Sequence, residues 1–350
     1  MTRMIRQSMT ATAMPLCETI VEAPQPSGTE VLVRISRCGV CHSDVHLQDG
    51  YFALGGDKKL DVTGGRSLPF TLGHEIAGVV EQAGAAADVE TGRSFAVFPW
   101  IGCGQCAACL AQEENLCAAP RHLGIQVDGG FATHVLVPHP RYLIDHSGLS
   151  AALAGAYMCS GLTAFSALKR IAAHARRGPV LLVGLGGVGM MGLAFARALF
   201  PQPPIVADID AGKREAALKA GAAAAYDPAD PAARKALLKA TGGVFGAVDF
   251  AGTDGSLGFA AGALAKGGKV VVTGLIGGTY TTPIAMFPLR AITIEGTMTG
   301  TLAEAEEMMA LARAGKVAAV PIIERPLAAA QTSLDDLRRG RIVGRVVLVP

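Results

Sequence analysis

Apolar residues at Val31, Val33 and Ile35 alternate with polar or charged ones at Arg34 and Ser36, the period of a half-buried strand over Glu30–Ser36. Runs of similar texture cover Glu75–Ala83, Ser94–Phe98 and Ala132–Val137, separated by Gly, Pro and Asp turns. The chain up to about residue 150 therefore predicts an irregular, β-rich domain. Between its first two strands, the stretch from Asp49 to Pro69 gathers Gly50, Gly55, Gly56, Gly64 and Gly65, and predicts a surface loop. Near residue 155 the pattern changes. Val180–Val183, Ile205–Ile209, Ala247–Phe250 and Lys269–Thr273 read as strands, with helices after Gly187 and over Ala211–Ala220, the latter stopped by Gly221. Such alternation predicts βαβ units and a parallel sheet with helices on both faces. The last stretch, Thr297–Pro350, carries two helical runs and a strand over Gly344–Val349, and is expected to fold back onto the first domain.

A chain of 350 residues is long enough for two domains, each with its own core. Half the residues are hydrophobic and only 17% are charged, which excludes a disordered or low-complexity protein. The net charge of +2 is spread without runs of Lys or Arg and gives no electrostatic case for nucleic acid. Met1–Leu16 has no continuous apolar segment of the signal-peptide kind, and the longest apolar stretches read as too short for a bilayer span. A soluble, cytoplasmic protein is expected. Eight cysteines in such a chain favour metal binding over disulfides, with Cys17 and Cys38 expected to be small buried thiols.

The densest chemistry lies in Gly39-Val40-Cys41-His42-Ser43-Asp44-Val45-His46, directly after the first strand. The thiolate of Cys41 suits zinc, which takes three protein ligands and keeps one open position when it catalyses. His74, in Leu72-Gly73-His74-Glu75, and Cys159, in Met158-Cys159-Ser160-Gly161, are the proposed partners. Each alone is more often a packed core residue. Together with Cys41 they form two thiolates and an imidazole whose charge balances the ion. A zinc held so would lower the pKa of an alcohol from roughly 16 toward about 7, as it does for bound water, and make it a good hydride donor.

Cys103, Cys106, Cys109 and Cys117 are separated by two, two and seven residues. Four thiolates close a tetrahedron with no open position, so this zinc would be structural, pinning a lobe over about residues 100–118. An iron–sulfur site or unpaired thiols are the alternatives, although ferredoxin spacings differ.

Gly184-Leu185-Gly186-Gly187-Val188-Gly189 follows the strand Val180–Val183 and opens a helix, the context in which glycines at 184, 186, 187 and 189 let a pyrophosphate approach a helix N-terminus. Asp208 lies near the end of the next strand, 24 residues beyond Gly184, where a carboxylate binds ribose hydroxyls and favours NAD over NADP. A helix cap is the other reading of Asp208, but Asp210 fills that role more naturally. Lys213 would reach the ribose or stand solvated on its helix.

In motif order and over nearly the whole length, the chain resembles the zinc-dependent alcohol dehydrogenases of the medium-chain dehydrogenase/reductase family. The resemblance rests on GVCHSDVH, GHE, the four-cysteine lobe, the Cys159 segment, GLGGVG and the final Gly344-Arg345 strand. It implies an α/β fold with a GroES-like catalytic domain at 1–155 and 296–350, interrupted by a Rossmann NAD-binding domain at 156–295. It makes Cys41, His74 and Cys159 the catalytic ligands and Cys103, Cys106, Cys109 and Cys117 the structural ones. It implies a proton route from the alcohol through Ser43 and the nicotinamide ribose to His46. Asp44 would orient His74, Glu75 would lie behind the metal, and His42 and Arg345 occupy positions that resemble the family's pyrophosphate contacts. Solvated or capping carboxylates remain the alternative for Asp44 and Glu75. Trp100 falls where relatives place an aromatic wall of the substrate pocket, with core packing as its other reading. The segment between Cys41 and His74 is longer than in many relatives. The chain also lacks the extra segment of the longer animal enzymes and so resembles the shorter bacterial type, in which homo-tetramers are common.

The function expected is an alcohol dehydrogenase using NAD, with one catalytic and one structural zinc per chain and a small alcohol, aldehyde or ketone as substrate. The alternatives are a zinc polyol or amino-alcohol dehydrogenase and a non-catalytic NAD- and zinc-binding sensor. No nucleic-acid or membrane partner is expected.

Overall fold

In the computed structural model, which describes residues 2–350, the first predicted strand runs from Val31 to Gly39 and is the hub of the β-rich domain. Val31, Leu32, Val33 and Ile35 are buried, and the strand pairs antiparallel with Glu75–Ala83, His134–Val137 and the final strand Arg345–Val349. The sheet is ordered Leu143–Ile144, Ser94–Val97, Glu75–Ala83, Val31–Gly39, Arg345–Val349, Ile322–Pro326. Two strands near the end of the chain thus complete a sheet begun near its start. A smaller sheet of Cys17–Glu22, Arg3–Met9 and Phe70–Thr71 joins this domain through the backbone bond from Gln7 to Phe131.

The second sheet is wholly parallel, in the order Ala224–Tyr226, Ile205–Ala207, Val180–Val183, Val244–Asp249, Leu264–Val272, Thr293–Gly296. The first strand in sequence, Val180–Val183, is central and fully buried, and the order reverses there. Ligands of open α/β sheets bind outside the carboxyl ends of the strands at this switch point. Helix Gly187–Leu199 starts at that point, and Gly189 makes the turn possible: a Cβ on it would stand 1.8 Å from the Gly184 carbonyl oxygen.

Three sequence expectations change. The stretch from Asp49 to Pro69 is not all loop, because Tyr51–Gly55 and Lys58–Asp61 pair as an antiparallel hairpin. Its closing turn uses Gly55 and Gly56 at φ of 95° and 56°, so the glycines that suggested a loop instead make the reversal. Cys17 is exposed on an outer strand, whereas Cys38 is buried as expected. Finally, the helical run Ala151–Ala175 is long and apolar enough to span a membrane, yet 94% of its apolar window is buried inside the protein. Ala154, Phe165 and Leu168 pack in the core shared by both domains, which accounts for its hydropathy.

Substituting Gly189→Ala should destabilise the protein by about 1–3 kcal/mol, since backbone and not a flexible side chain meets the new methyl. Urea unfolding measures this, and an unchanged midpoint would show that the turn yields.

Candidate active site

The strand Val31–Gly39 delivers Cys41 to the N-cap of helix His42–Asp49. The Asp44 carboxylate accepts the Cys41 backbone N–H at 2.9 Å and the Gly73 N–H at 3.2 Å, which ties the two donor segments together. His74 follows Gly73, whose φ of 95° and lack of a side chain let the chain pass against Phe131 and Cys38. Cys159 sits within a π-helical turn, Tyr157–Gly161, inside the helical run Ala151–Ala175. Such a turn widens the helix by one residue and re-aims its side chains, and it recurs at functional sites.

The Sγ atoms of Cys41 and Cys159 are 3.9 Å apart, and with His74 the three donors lie within 4.8 Å of one another, all buried. A tetrahedron with zinc–sulfur bonds of about 2.3 Å has edges of about 3.8 Å, so the spacing fits. His74 Nε2 is buried with no hydrogen-bond partner, and a metal would satisfy it. The charges fit too. The Cys41 thiol is held well below its usual range, chiefly by Cys159 and with help from His74, while the Cys159 thiol is pushed up by Cys41. Burial opposes charge on His74, but the Asp44 carboxylate and Cys41 outweigh it and raise its pKa. Asp44 Oδ1 lies 3.3 Å from His74 Nδ1, the position from which a carboxylate fixes an imidazole's orientation.

Glu75 stands behind these donors. Its Oε1 accepts the Ser160 N–H at 3.3 Å and its Oε2 accepts from Arg345 at 2.5 Å, both side chains being buried. Gly39 makes room, since a Cβ there would stand 2.0 Å from Glu75 Oε2. Arg345 also lies against Gly187, whose added Cβ would meet its side chain at 2.7 Å. The guanidinium thus lies between the metal donors and the glycine-rich turn. Trp100 is buried at the cleft wall, and its indole N–H donates to the Met158 carbonyl at 2.8 Å, bracing the turn that bears Cys159.

Cys103, Cys106, Cys109 and Cys117 also lie within 4.8 Å of one another, with sulfur–sulfur distances of 3.5, 3.7 and 3.9 Å. These are nearly twice a disulfide bond of about 2.05 Å and close to the edge of a zinc tetrathiolate. Backbone N–H groups of Cys103 and Ala119 point at Cys117 Sγ, at 3.2 and 3.4 Å. The Cys106 thiol is held down to about 6, first by the Cys109 backbone N–H and then by its side chain. A lobe with this donor set fits a closed metal site.

A cleft of about 1070 Å³ joins the two domains. One side presents Cys41, His42, Ser43, His46 and Cys159, and the other Gly184, Gly186, Gly187, Gly189, Asp208 and Lys213. Asp208 accepts the Leu185 and Asp210 backbone N–H groups at 2.6 and 2.9 Å, while Asp210 caps its helix by accepting from Lys213 N. Ser43 Oγ is 3.8 Å from Cys41 Sγ. His46 packs on Phe52 with ring centroids 4.7 Å apart, and burial, followed by His42, lowers its pKa.

Residues 27–146 match the family described as alcohol dehydrogenase GroES-like domain, and residues 187–314 the family described as zinc-binding dehydrogenase. The chain belongs to the zinc-binding alcohol dehydrogenase family. Its β-rich domain is the GroES-like domain and its parallel sheet the Rossmann fold, so the expected fold class is borne out. Among family members, the NAD-dependent alcohol dehydrogenase of Sulfurisphaera tokodaii is 36% identical over 342 residues, covering 96% of this chain and 97% of that one. Among solved structures, the alcohol dehydrogenase of the archaeon Aeropyrum pernix has a TM-score of 0.87 at 28% identity, covering 99% of this chain and 100% of that one. The D-arabinose dehydrogenase from Sulfolobus solfataricus has a TM-score of 0.85 at 25% identity, with both chains fully covered at 100%.

Several cleft residues of this family member carried no sequence signal. Phe52 and Val62 come from the hairpin region, Thr163 from the long helix, and Thr297, Met298 and Thr299 from the connection after the last parallel strand. None stands in a motif; they meet only in three dimensions.

His122 supplies a test of the buried wall behind Trp100. It is 1% exposed, with no partner for either ring nitrogen, and its ring meets the Trp100 edge at 5.2 Å. Burial lowers its pKa to about 4. The unfolded chain, with a histidine near 6.5, then binds a proton that the folded one does not. Stability present above pH 6.5 is lost as pH falls toward 4, by up to about 3 kcal/mol. His122→Phe should flatten this acid limb in urea titrations at stepped pH, and an unaltered limb would assign the loss to other groups.

Proposed function

We propose that this chain is an NAD-dependent alcohol dehydrogenase, with one catalytic and one structural zinc, interconverting primary or secondary alcohols and aldehydes or ketones. The observation that carries the reading is the meeting in one cleft of Cys41 and Cys159, buried beside His74, with the glycine-rich turn and Asp208. The curated relatives named NAD-dependent alcohol dehydrogenase support it over nearly the full chain.

Cys41, His74 and Cys159 would hold the catalytic zinc, and Cys103, Cys106, Cys109 and Cys117 the structural one. When bound, zinc supplies a Lewis acid for the alcohol oxygen and NAD supplies the acceptor for hydride. The protein's own part is to bind, to orient and to move a proton. Ser43 takes the substrate proton at Oγ and His46, with its basicity lowered by burial, releases it to solvent. Asp44 orients His74, and Glu75 with Arg345 balances charge behind the donors. His42 and Arg345 serve the pyrophosphate beside the glycines at 184, 186, 187 and 189, while Asp208 and Lys213 serve the ribose. Mainly apolar side chains, Phe52, Trp100 and Ile125 among them, exclude water and favour simple alcohols over polyols. On the resemblance to shorter bacterial relatives, the protein acts in the cytoplasm as a homo-tetramer.

Removing zinc with a chelator should abolish alcohol-dependent NADH formation while NADH binding, followed by fluorescence, changes less than about twofold. Full turnover in the metal-free protein would overturn the reading. Asp208→Asn, which removes the charge and keeps the shape, should raise KM for NAD about tenfold and shift preference toward NADP. Steady-state kinetics with both cofactors checks this, and an unchanged ratio would leave Asp208 with its turn-bracing bonds alone.

A further inference from the structure

The four-cysteine lobe reaches the cleft through one side chain. Asn115 lies in the short turn Glu114–Leu116, between Cys109 and Cys117, and is 3% exposed. Its Nδ2 donates to the Met298 carbonyl at 2.7 Å, joining the lobe to the connection that follows the last parallel strand, Thr293–Gly296. We propose that Asn115 is a positioning residue, which holds the Thr297–Thr299 segment in the shape that walls the cofactor and substrate cleft.

Both ends of this contact are built for the role. On the lobe side, the neighbouring Glu114 is fixed by the Gly102 N–H at 3.0 Å, the Tyr142 hydroxyl at 2.7 Å and the Arg141 guanidinium. Asn115 therefore projects from a rigid mount. On the cleft side, Thr299 has a φ of 50°, in the left-handed region that a β-branched residue avoids. Such a conformation persists only where the surroundings over-determine it. The Asn115 bond grips the carbonyl of the residue immediately before, and so fixes the peptide whose rotation would release Thr299. From the other side, Gly300 packs against Leu162, three residues beyond Cys159, where an added Cβ would stand 2.8 Å from Leu162 Cδ1.

The segment held in this way faces the ligand space. Thr297, Met298 and Thr299 all line the cleft, and the hydroxyls of Thr297 and Thr299 are buried without a partner in the protein. Nothing in the lobe's cysteine spacing requires such a contact, since four thiolates close their own site. The lobe thus does more than pin itself: it carries the arm that shapes the cleft wall formed by the connection after the parallel sheet.

The proposal rests on the dehydrogenase reading for its kinetic readout, and its test separates the two. Asn115→Ala, and Asn115→Ser as a variant whose side chain is too short to reach Met298, are compared with the full-length wild type. Measured are zinc content, urea midpoint, NADH dissociation by fluorescence, and KM and kcat with a series of simple alcohols. The expected result is a rise of about tenfold in the NADH dissociation constant or in KM for alcohol, with kcat within about threefold and with zinc content and urea midpoint near wild type. Binding constants within twofold of wild type in whichever variant folds, or constants that worsen only in step with loss of zinc, would overturn it. A wild type that turns over no alcohol would count against the dehydrogenase reading, and the NADH titration alone would then decide the role of Asn115.

Discussion

One buried ion pair inside the β-rich domain sets its metal-donor side against the nucleotide-binding half. Arg345 comes from the final strand and Glu75 from the residue after His74, and neither has meaningful access to solvent. Burial pushes the Glu75 carboxyl up while Arg345 resists it, so the carboxylate's charge depends on the guanidinium beside it. A buried pair of this kind is costly to break and is poor evidence for stability in itself, because apolar residues often fill the same volume as well. What it provides here is placement. Through Glu75 it reaches Ser160 in the π-helical turn, and through the Arg345 side chain it reaches Gly187 at the start of the nucleotide-domain helix. Thiolate donors, glycine-rich turn and chain terminus are thereby set in one frame.

Much of this frame was legible in the sequence, for reasons that are local. Two-residue spacings between Cys103, Cys106 and Cys109 put three thiols in one turn, where only the fourth has to be supplied by folding. The glycine motif announces itself because a strand, a tight turn and a helix must follow one another directly. The parallel strands showed as continuous apolar runs, since both faces of that sheet are covered. Strand ends moved, as in Leu264–Val272, which begins before the expected Lys269 because Leu264 already pairs with Val244 across a register shift.

Other features could not be read in this way. The glycines around the hairpin Tyr51–Asp61 signal reversal of the chain, but whether the flanks pair depends on what they rest against. The apolar helical run that bears Cys159 has the composition of a membrane span, and only the packing around it shows that two domains share it as a core. The π-helical turn left no mark in the residue pattern, because one extra residue in a helix is a choice made by the tertiary environment. Asn115 and Met298 are 183 positions apart, and no periodicity connects them.

The placement of the Arg345–Val349 strand carries a further consequence, for the order in which the molecule is made. The parallel sheet draws all its strands from one continuous stretch, so it can assemble while the ribosome is still at work on the remainder. The GroES-like sheet cannot, since a strand beside its hub follows the whole parallel sheet in the sequence. Until that strand is made, the edge of Val31–Gly39 near Cys38 and Gly39 lacks its neighbour, and Glu75 lacks the guanidinium of Arg345. The surroundings of Cys41, His74 and Cys159 are therefore completed only after every strand of the nucleotide-binding half has been made.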